Sequence, residues 1–154
     1  MIVKRKFVDG RPEKLKGRCA AGGNHQNREE YDWNETSSPT VNLSSLFILL
    51  NVAITYEMIS FNFDIAGAYL NAEMKKRVVV KFDRRLSRLL VEILPNWKQF
   101  VCLKSGIIHC VLLKALYGCI ESSRLWFEMF NGVMLSMGFE PHKMDPCVYV
   151  RGKK

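Results

Sequence analysis

No C-x-x-C spacing occurs in the 154 residues, and the cysteines are five, odd in number and scattered: Cys19, Cys102, Cys110, Cys119 and Cys147. Such a set excludes a disulfide frame and points to free thiols in a reducing compartment, so a cytoplasmic setting is expected. His109 beside Cys110 lacks the second ligand pair that a zinc finger needs. Long apolar runs are missing too. The best, residues 46–54, is interrupted by Asn51 and is about half of the ~20 residues that a membrane span requires, so no membrane partner is expected. The N-terminal MIVKRKFVDGRPEKLKGR holds no apolar core that would direct secretion. Internal repeats and low-complexity tracts are absent.

Acid is scarce as well, with 15 Asp and Glu against 23 Lys and Arg, a formal charge of +8 and a pI near 9.4. That balance leans towards a polyanionic partner, of which nucleic acid is the commonest. What is plentiful is apolar: 48% of the residues, enough to build a core in a chain the length of one domain or a piece of a larger one.

Along the chain, Arg5-Lys6-Phe7-Val8 and residues 15–20 flank Asp9-Gly10-Arg11-Pro12, which predicts a hairpin with two basic arms. Residues 22–39 are polar and punctuated by Gly22-Gly23-Asn24 and Ser37-Ser38-Pro39, a long connecting loop. Leu43, Leu46, Phe47, Leu50, Ala53 and Ile54 recur at helical spacing, so a helix is expected over about 43–57, capped by Asn42 or Ser44. The valine-rich residues 77–82 predict a strand, and Leu86, Leu89, Leu90 and Ile93 a short helix ended by Pro95. Residues 100–103 and 107–113 flank Lys104-Ser105-Gly106 as a further hairpin. Leu125, Trp126, Met129, Phe130, Val133 and Met137 make one apolar face of a helix over about 122–137, with Gly138 placed to end it. A last strand starts at Cys147.

The stretch FNFDIAGAYLNA, residues 61–72, carries the chemistry. Ile59, Phe61, Phe63 and Ile65 alternate with Ser60, Asn62 and Asp64, which predicts a strand with Asp64 near its end on the polar face. Ala66-Gly67-Ala68 then turns without bulk that would block a ligand. A carboxylate there suits a metal or cationic group, and equally suits capping of the next turn.

Three blocks resemble one family. DIAGAYLNA is similar to the D-V-x-x-A-F-L-N block, LLKALYGCIESSRLW to L-K-x-x-L-Y-G-x-x-Q-x-x-R-x-W, and GFEPHKMDPCVYV to G-F-x-x-x-x-x-D-x-C-x-Y of copia-type retrotransposon reverse transcriptases. KLKGRCAAGGNHQ also resembles that family's K-x-R-x-V-x-x-G-x-x-Q, and SSPTV its S-P-V. The likeness runs in order over nearly the whole chain. It implies an α+β fold, the fingers and palm of a right-hand polymerase with an antiparallel sheet backed by helices, about 1–58 fingers-like and about 59–154 partial palm. The partners it implies are an RNA or DNA template with primer, deoxynucleotides and the remainder of a Pol polyprotein, in the cytoplasm or a virus-like particle.

The resemblance also implies roles. Asp64 and the Ile65 carbonyl would hold Mg²⁺, one of two ions about 3.5–4 Å apart that activate the primer hydroxyl and hold the triphosphate. Tyr69, beside Ala68, would lie under the incoming sugar and crowd a 2′-hydroxyl; a plain core aromatic is the competing reading. Lys16 and Arg18 would grip the triphosphate, or simply line a solvated basic strand. Tyr117 and Gly118 would border the nucleotide and template pocket, while Arg124 and Trp126 would lock the following helix into the palm.

Two departures matter. Cys119-Ile120-Glu121-Ser122-Ser123 stands where many family members have Leu-Lys-Gln-Ala-Pro, which puts template contacts by the lysine and glutamine positions in doubt, although a Y-G-C-x-E-S-S wording resembles that of some copia lineages and need not be decay. The Y-x-D-D block, expected after the strand begun at Cys147, is absent, and no Asp-Asp pair occurs among Asp9, Asp32, Asp64, Asp83 and Asp145. One carboxylate cannot neutralise two adjacent Mg²⁺ ions. The chain alone is therefore expected to be inactive, a polymerase fragment with an unpaired strand edge at 147–150. The alternative is a decayed remnant or a nucleic-acid-binding module without catalysis.

Overall fold

The computed structural model describes residues 2–152, the side chains of Ile2, Val3, Val8 and Lys16 excepted. Strands β1 (Ile2–Val8) and β2 (Arg11–Arg18) pair antiparallel as the predicted hairpin, ending two residues earlier than expected. Asp9 and Gly10 close it with φ of 51° and 74°, the two-residue turn whose twist matches that of the strands. The polar stretch that follows contains two single 3₁₀ turns, Gly23–His25 and Arg28–Glu30, and one short helix, α1 (Trp33–Thr36), whose Glu35 side chain accepts from the Asp32 N–H at 3.0 Å.

Helix α2 (Leu43–Thr55) forms where the spacing predicts it, and Asn42 rather than Ser44 is its cap, accepting from the Ser44 N–H at 3.1 Å. None of its side chains is fully buried. Leu43, Ile48 and Ile54 are 63%, 63% and 76% exposed, so apolar residues face solvent all round the helix.

The predicted strand at 59–65 is not formed. The segment is irregular and has no ladder partner among the described residues, and Ile59, Phe61 and Phe63 lie exposed. Alternation sets which face a strand presents, but a strand exists only when a second backbone accepts its hydrogen bonds. This one finds none. The turn after it is as expected: Gly67 takes φ 60° and leads into a 3₁₀ turn, Ala68–Asn71.

Strand β3 (Val79–Phe82) leads into α3 (Arg84–Ile93), capped by the Asp83 carboxylate on the Leu86 N–H at 2.8 Å. After Pro95 the chain winds into a 3₁₀ turn, Pro95–Phe100, where Trp97 meets Phe100 edge to face. Residues 100–103 are thus not the arm of a hairpin. Strand β4 (Ile108–Val111) pairs with β3 instead, because its buried Ile108 is anchored there: the Ile108 N–H donates to Ser87 Oγ at 3.1 Å, and Ser87 donates to the Phe82 carbonyl at 3.0 Å.

Helix α4 (Ser122–Ser136) carries the predicted apolar face, and Gly138 at φ 80° turns the chain out of it. Strand β5 (Glu140–His142) then pairs with β6 (Asp145–Val150). The strand at 147–150 therefore has a partner on one edge, contrary to expectation. Pro141 concealed that partner, since proline in so short a run argues against a strand.

Helices and small antiparallel sheets make the chain α+β, as expected, but the single helix-backed sheet is replaced by three two-stranded ribbons among the described residues. The core is small: Ala72, Ala115 and Leu125, with Tyr69, Met74 and Met129 packed around them. Asp145, 3% exposed, ties two distant elements by accepting from the Asn42 N–H before α2 at 2.8 Å and from the Cys147 N–H in β6 at 3.0 Å. All five cysteines are free thiols. Among the described residues no helix is long and apolar enough to cross a membrane.

Candidate functional site

The αL turn at Gly67 starts the site. It lets the Leu70 N–H donate to the Gly67 carbonyl at 2.8 Å and the Asn71 amide return to the same oxygen at 3.2 Å, which fixes the 3₁₀ turn that carries Tyr69. Tyr69 packs against the core on one side, and its ring lies 4.3 Å from that of Tyr117, tilted by 39°. Tyr117 is 51% exposed, so the pair offers an aromatic step with one wall on the core and one in solvent. Both readings of Tyr69, core residue and ligand-facing ring, are compatible with this placement. Ala68 is half-buried at the start of the same turn; Ile65 is half-buried and Asp64 exposed in the irregular segment before it.

Tyr117 and Gly118 sit against the segment that leaves β2. The Ala21 N–H donates to the Tyr117 carbonyl at 2.7 Å. The backbones approach so closely that a Cβ built on Gly23 would lie 1.8 Å from the Gly118 oxygen, and one on Gly118 2.1 Å from the Ala21 oxygen. Gly118 also takes φ 94°, so glycine is demanded there twice over.

Just behind this contact lies a polar junction that sequence reasoning missed. Gln26 accepts from the Ile120 N–H at 2.8 Å and donates to Glu121 Oε2 at 3.0 Å and to Tyr31 Oη at 2.8 Å, while the Tyr31 hydroxyl donates to Glu121 Oε1 at 3.0 Å. Glu121 is 3% exposed. Burial, then the hydrogen bond to Glu121 and its charge, push the Tyr31 phenol up to about 12. The only sequence signals were the matched Gln26 and the departure at 121. Lys76 flanks the junction, 4.2 Å from the Tyr31 ring centroid and 2.7 Å from Glu35. Arg124 does not reach across the fold: it pairs with Glu128 at 2.8 Å on its own helix, and Glu128 takes Lys75 at 2.6 Å. Trp126 stacks on Phe130 within α4.

Arg18 is exposed at the end of β2, with no carboxylate paired to it among the described residues; the Lys16 side chain lies outside them. Facing partners in the ribbon put Lys6 opposite Lys14, Lys4 opposite position 16, and Arg18 in the same row, whereas Arg5 faces Leu15 on the other side. One face of the ribbon is therefore a row of cations, tempered by Glu13, which lies 3.4 Å from Lys6 and 3.6 Å from Lys14. A cavity of about 520 Å³ opens between residues 19–22 and β3, but neither Asp64, Tyr69 nor Tyr117 lines it.

The donor set does not fit the pair of Mg²⁺ ions that the resemblance implied. Two ions so close need several carboxylates, and among the described residues no group of three His, Cys, Asp or Glu converges anywhere. Asp64 stands as a single carboxylate.

A family model described as reverse transcriptase (RNA-dependent DNA polymerase) matches residues 1–86. Among curated relatives, the retrovirus-related Pol polyprotein from transposon TNT 1-94 of Nicotiana tabacum is 24% identical over 147 residues, 96% of this chain and 10% of the relative. That from transposon RE1 of Arabidopsis thaliana is 27% identical over 155 residues (99% and 10%), and that from transposon RE2 of the same plant 27% over 150 (97% and 9%). The chain spans about a tenth of the length of these relatives. No solved structure matches it.

Proposed function

Because the chain belongs to the reverse transcriptase (RNA-dependent DNA polymerase) family, we propose that it is the nucleotide-facing piece of a copia-type polymerase, in which Tyr69 and Tyr117 floor the pocket for an incoming deoxynucleotide. The contact of those two rings at 4.3 Å carries the reading, since it joins two positions that lie 48 residues apart and match separate family motifs. An exposed aromatic face can stack on a sugar or base, and a ring beneath the sugar has no room for a 2′-hydroxyl. Asp64 and Ile65 sit at the entrance of this turn, and Lys16 and Arg18 supply the cationic end of the strand that leads to Ala21. In this reading residues 1–58 are fingers-like and 59–154 part of the palm.

No transfer step follows for this chain alone, because Asp64 is its one carboxylate at a position the family uses for metal, and among the described residues no group of three His, Cys, Asp or Glu converges. Purified chain is expected to extend no primer with Mg²⁺ or Mn²⁺, and extension that Asp64→Asn abolishes would refute this. Equilibrium dialysis with Mg·dUTP and Mg·UTP tests the pocket: dUTP should bind at least several-fold more tightly, with Tyr69→Ala closing the gap. Equal affinity for the two, or no binding of either, would overturn the nucleotide reading.

The cationic face of the β1–β2 ribbon favours a second reading, a nucleic-acid-binding module without catalysis. Binding to a primer–template duplex would then persist in Tyr69→Ala and weaken steeply with salt.

A further inference from the structure

We propose that Glu121 is a positioning residue, a buried latch that fastens residues 19–31 to the Tyr117–Gly118 turn and so holds the Tyr117 ring on Tyr69. The site's relevance to nucleotides rests on the preceding reading; the latch itself does not.

Residues 19–26 and residues 117–121 lie almost a hundred positions apart and touch through backbone atoms that leave no room for a side chain at Gly23 or Gly118. Close approach of two backbones gains little by itself, and the ladder-like bond across them is the one from the Ala21 N–H to the Tyr117 carbonyl. The junction behind them supplies what is missing. The Gln26 side chain commits its oxygen to the Ile120 N–H and its nitrogen to Glu121 and Tyr31, and both oxygens of Glu121 are taken, one by Gln26 and one by Tyr31. Gln26, Tyr31 and Glu121 thus form a closed triangle with donors and acceptors matched. A carboxylate fits its apex better than an amide, because both neighbours, the Gln26 NH₂ and the Tyr31 hydroxyl, can present hydrogens to it.

This orientation also assigns the departure from the family wording at position 121. Its side chain points inward and is 3% exposed, so it makes no contact with a template strand; its work is inside the fold. A buried carboxylate held by neutral donors is also the arrangement most sensitive to losing one of them, since the remaining charge stays out of water.

Amide hydrogen exchange on the full chain tests the latch. In Glu121→Leu the amides of Ala21 and Ile120 should exchange roughly tenfold faster, as local opening without those hydrogen bonds allows, while those of Phe130 and Val133 in α4 hold their rates. Gln26→Glu opens the same junction from the other side by setting two carboxylates together. The exchanged pair Gln26→Glu with Glu121→Gln restores one amide against one carboxylate and should return Ala21 and Ile120 to within a few-fold of the original rates, as coupled neighbours do. Rescue by the exchanged pair supports the latch even if a single variant fails to fold. Unchanged exchange at Ala21 and Ile120 in both single variants, or an exchanged pair no better than either, would overturn it. Should the chain bind neither dUTP nor UTP, the nucleotide reading falls while the exchange result still decides on the latch.

Discussion

At the scale of single residues, a motif marks a position without naming what that position holds. Asp64, Tyr69, Tyr117 and Gly118 were singled out because each sits in a block with a fixed spacing. Tyr31 lies in no matched block, and Asp145 lies in one that says nothing of what it holds; their partners are 90 and 103 residues away in sequence, and no local pattern encodes such a contact. Both carry a pH signature. Tyr31 has its phenol raised from 10.0 to about 12, so the stability it contributes is fully present below pH 10 and is lost as pH rises through about 12. In a 295 nm titration Tyr31→Phe should therefore lose amplitude near pH 12 relative to the parent, and the substitution should cost about 1–3 kcal/mol by stripping a donor from buried Glu121. Amplitude lost at or below pH 10 in Tyr31→Phe, with none lost near pH 12, would contradict it. Asp145 runs the opposite way. The Ser45 hydroxyl first, then the Asn42 and Cys147 N–H groups, hold its carboxyl below the usual 3.8. Its contribution is present above pH 3.8 and lost as pH falls through the folded value. Asp145→Asn should thus melt below the parent near neutral pH, with the gap in Tm closing as the pH falls below the ordinary carboxylate range; an equal gap at both extremes would mean that the charge plays no part.

At the scale of elements, local signals located the three longer helices and the first hairpin but not the single-turn α1 inside the expected loop, and pairing was where they gave out. Helical spacing placed α2, α3 and α4 because a helix satisfies its own backbone; a strand depends on a partner that the pattern does not name. Residues 59–65 show the consequence, with a strand's alternation and no second strand beside them among the described residues. The β1–β2 ribbon succeeded because its partner is next in sequence and Asp9-Gly10 fixes the register. That register makes a prediction at the same scale. Lys4→Glu with Lys14→Glu reverses charge on the cationic face, whereas Arg5→Glu reverses it on the other. If the ribbon grips phosphates, the first pair should abolish most duplex binding at about 50 mM salt and flatten its salt dependence by about two contacts, with Arg5→Glu much milder. A loss in log affinity from Arg5→Glu half that of the pair, in proportion to the charge reversed, would show that the ribbon acts only through net charge.

At the scale of the whole molecule, the exposed surface is too large for the mass. A self-standing protein of 17.8 kDa presents about 8,000 Å² by the usual scaling, and this chain presents 12863 Å². The surplus has an address. It gathers on α2 and the segment after it, where Phe47, Ile54, Phe61 and Phe63 are 55%, 76%, 88% and 76% exposed, while the core proper amounts to a few small and branched side chains. A helix apolar on all sides is ordinarily a buried one, and apolar surface on this scale seeks cover. The purified chain should accordingly self-associate, bind a hydrophobic dye and unfold over a broad range of temperature. Phe61→Ser with Phe63→Ser should lower its sedimentation-average mass without altering the exchange rates of Ala21 and Ile120, because the junction at Glu121 lies on other elements. A sharply melting monomer that excludes the dye would mean that α2 is covered in solution by residues of the chain itself, with Phe61 and Phe63 folded against the helix rather than free to seek a second molecule.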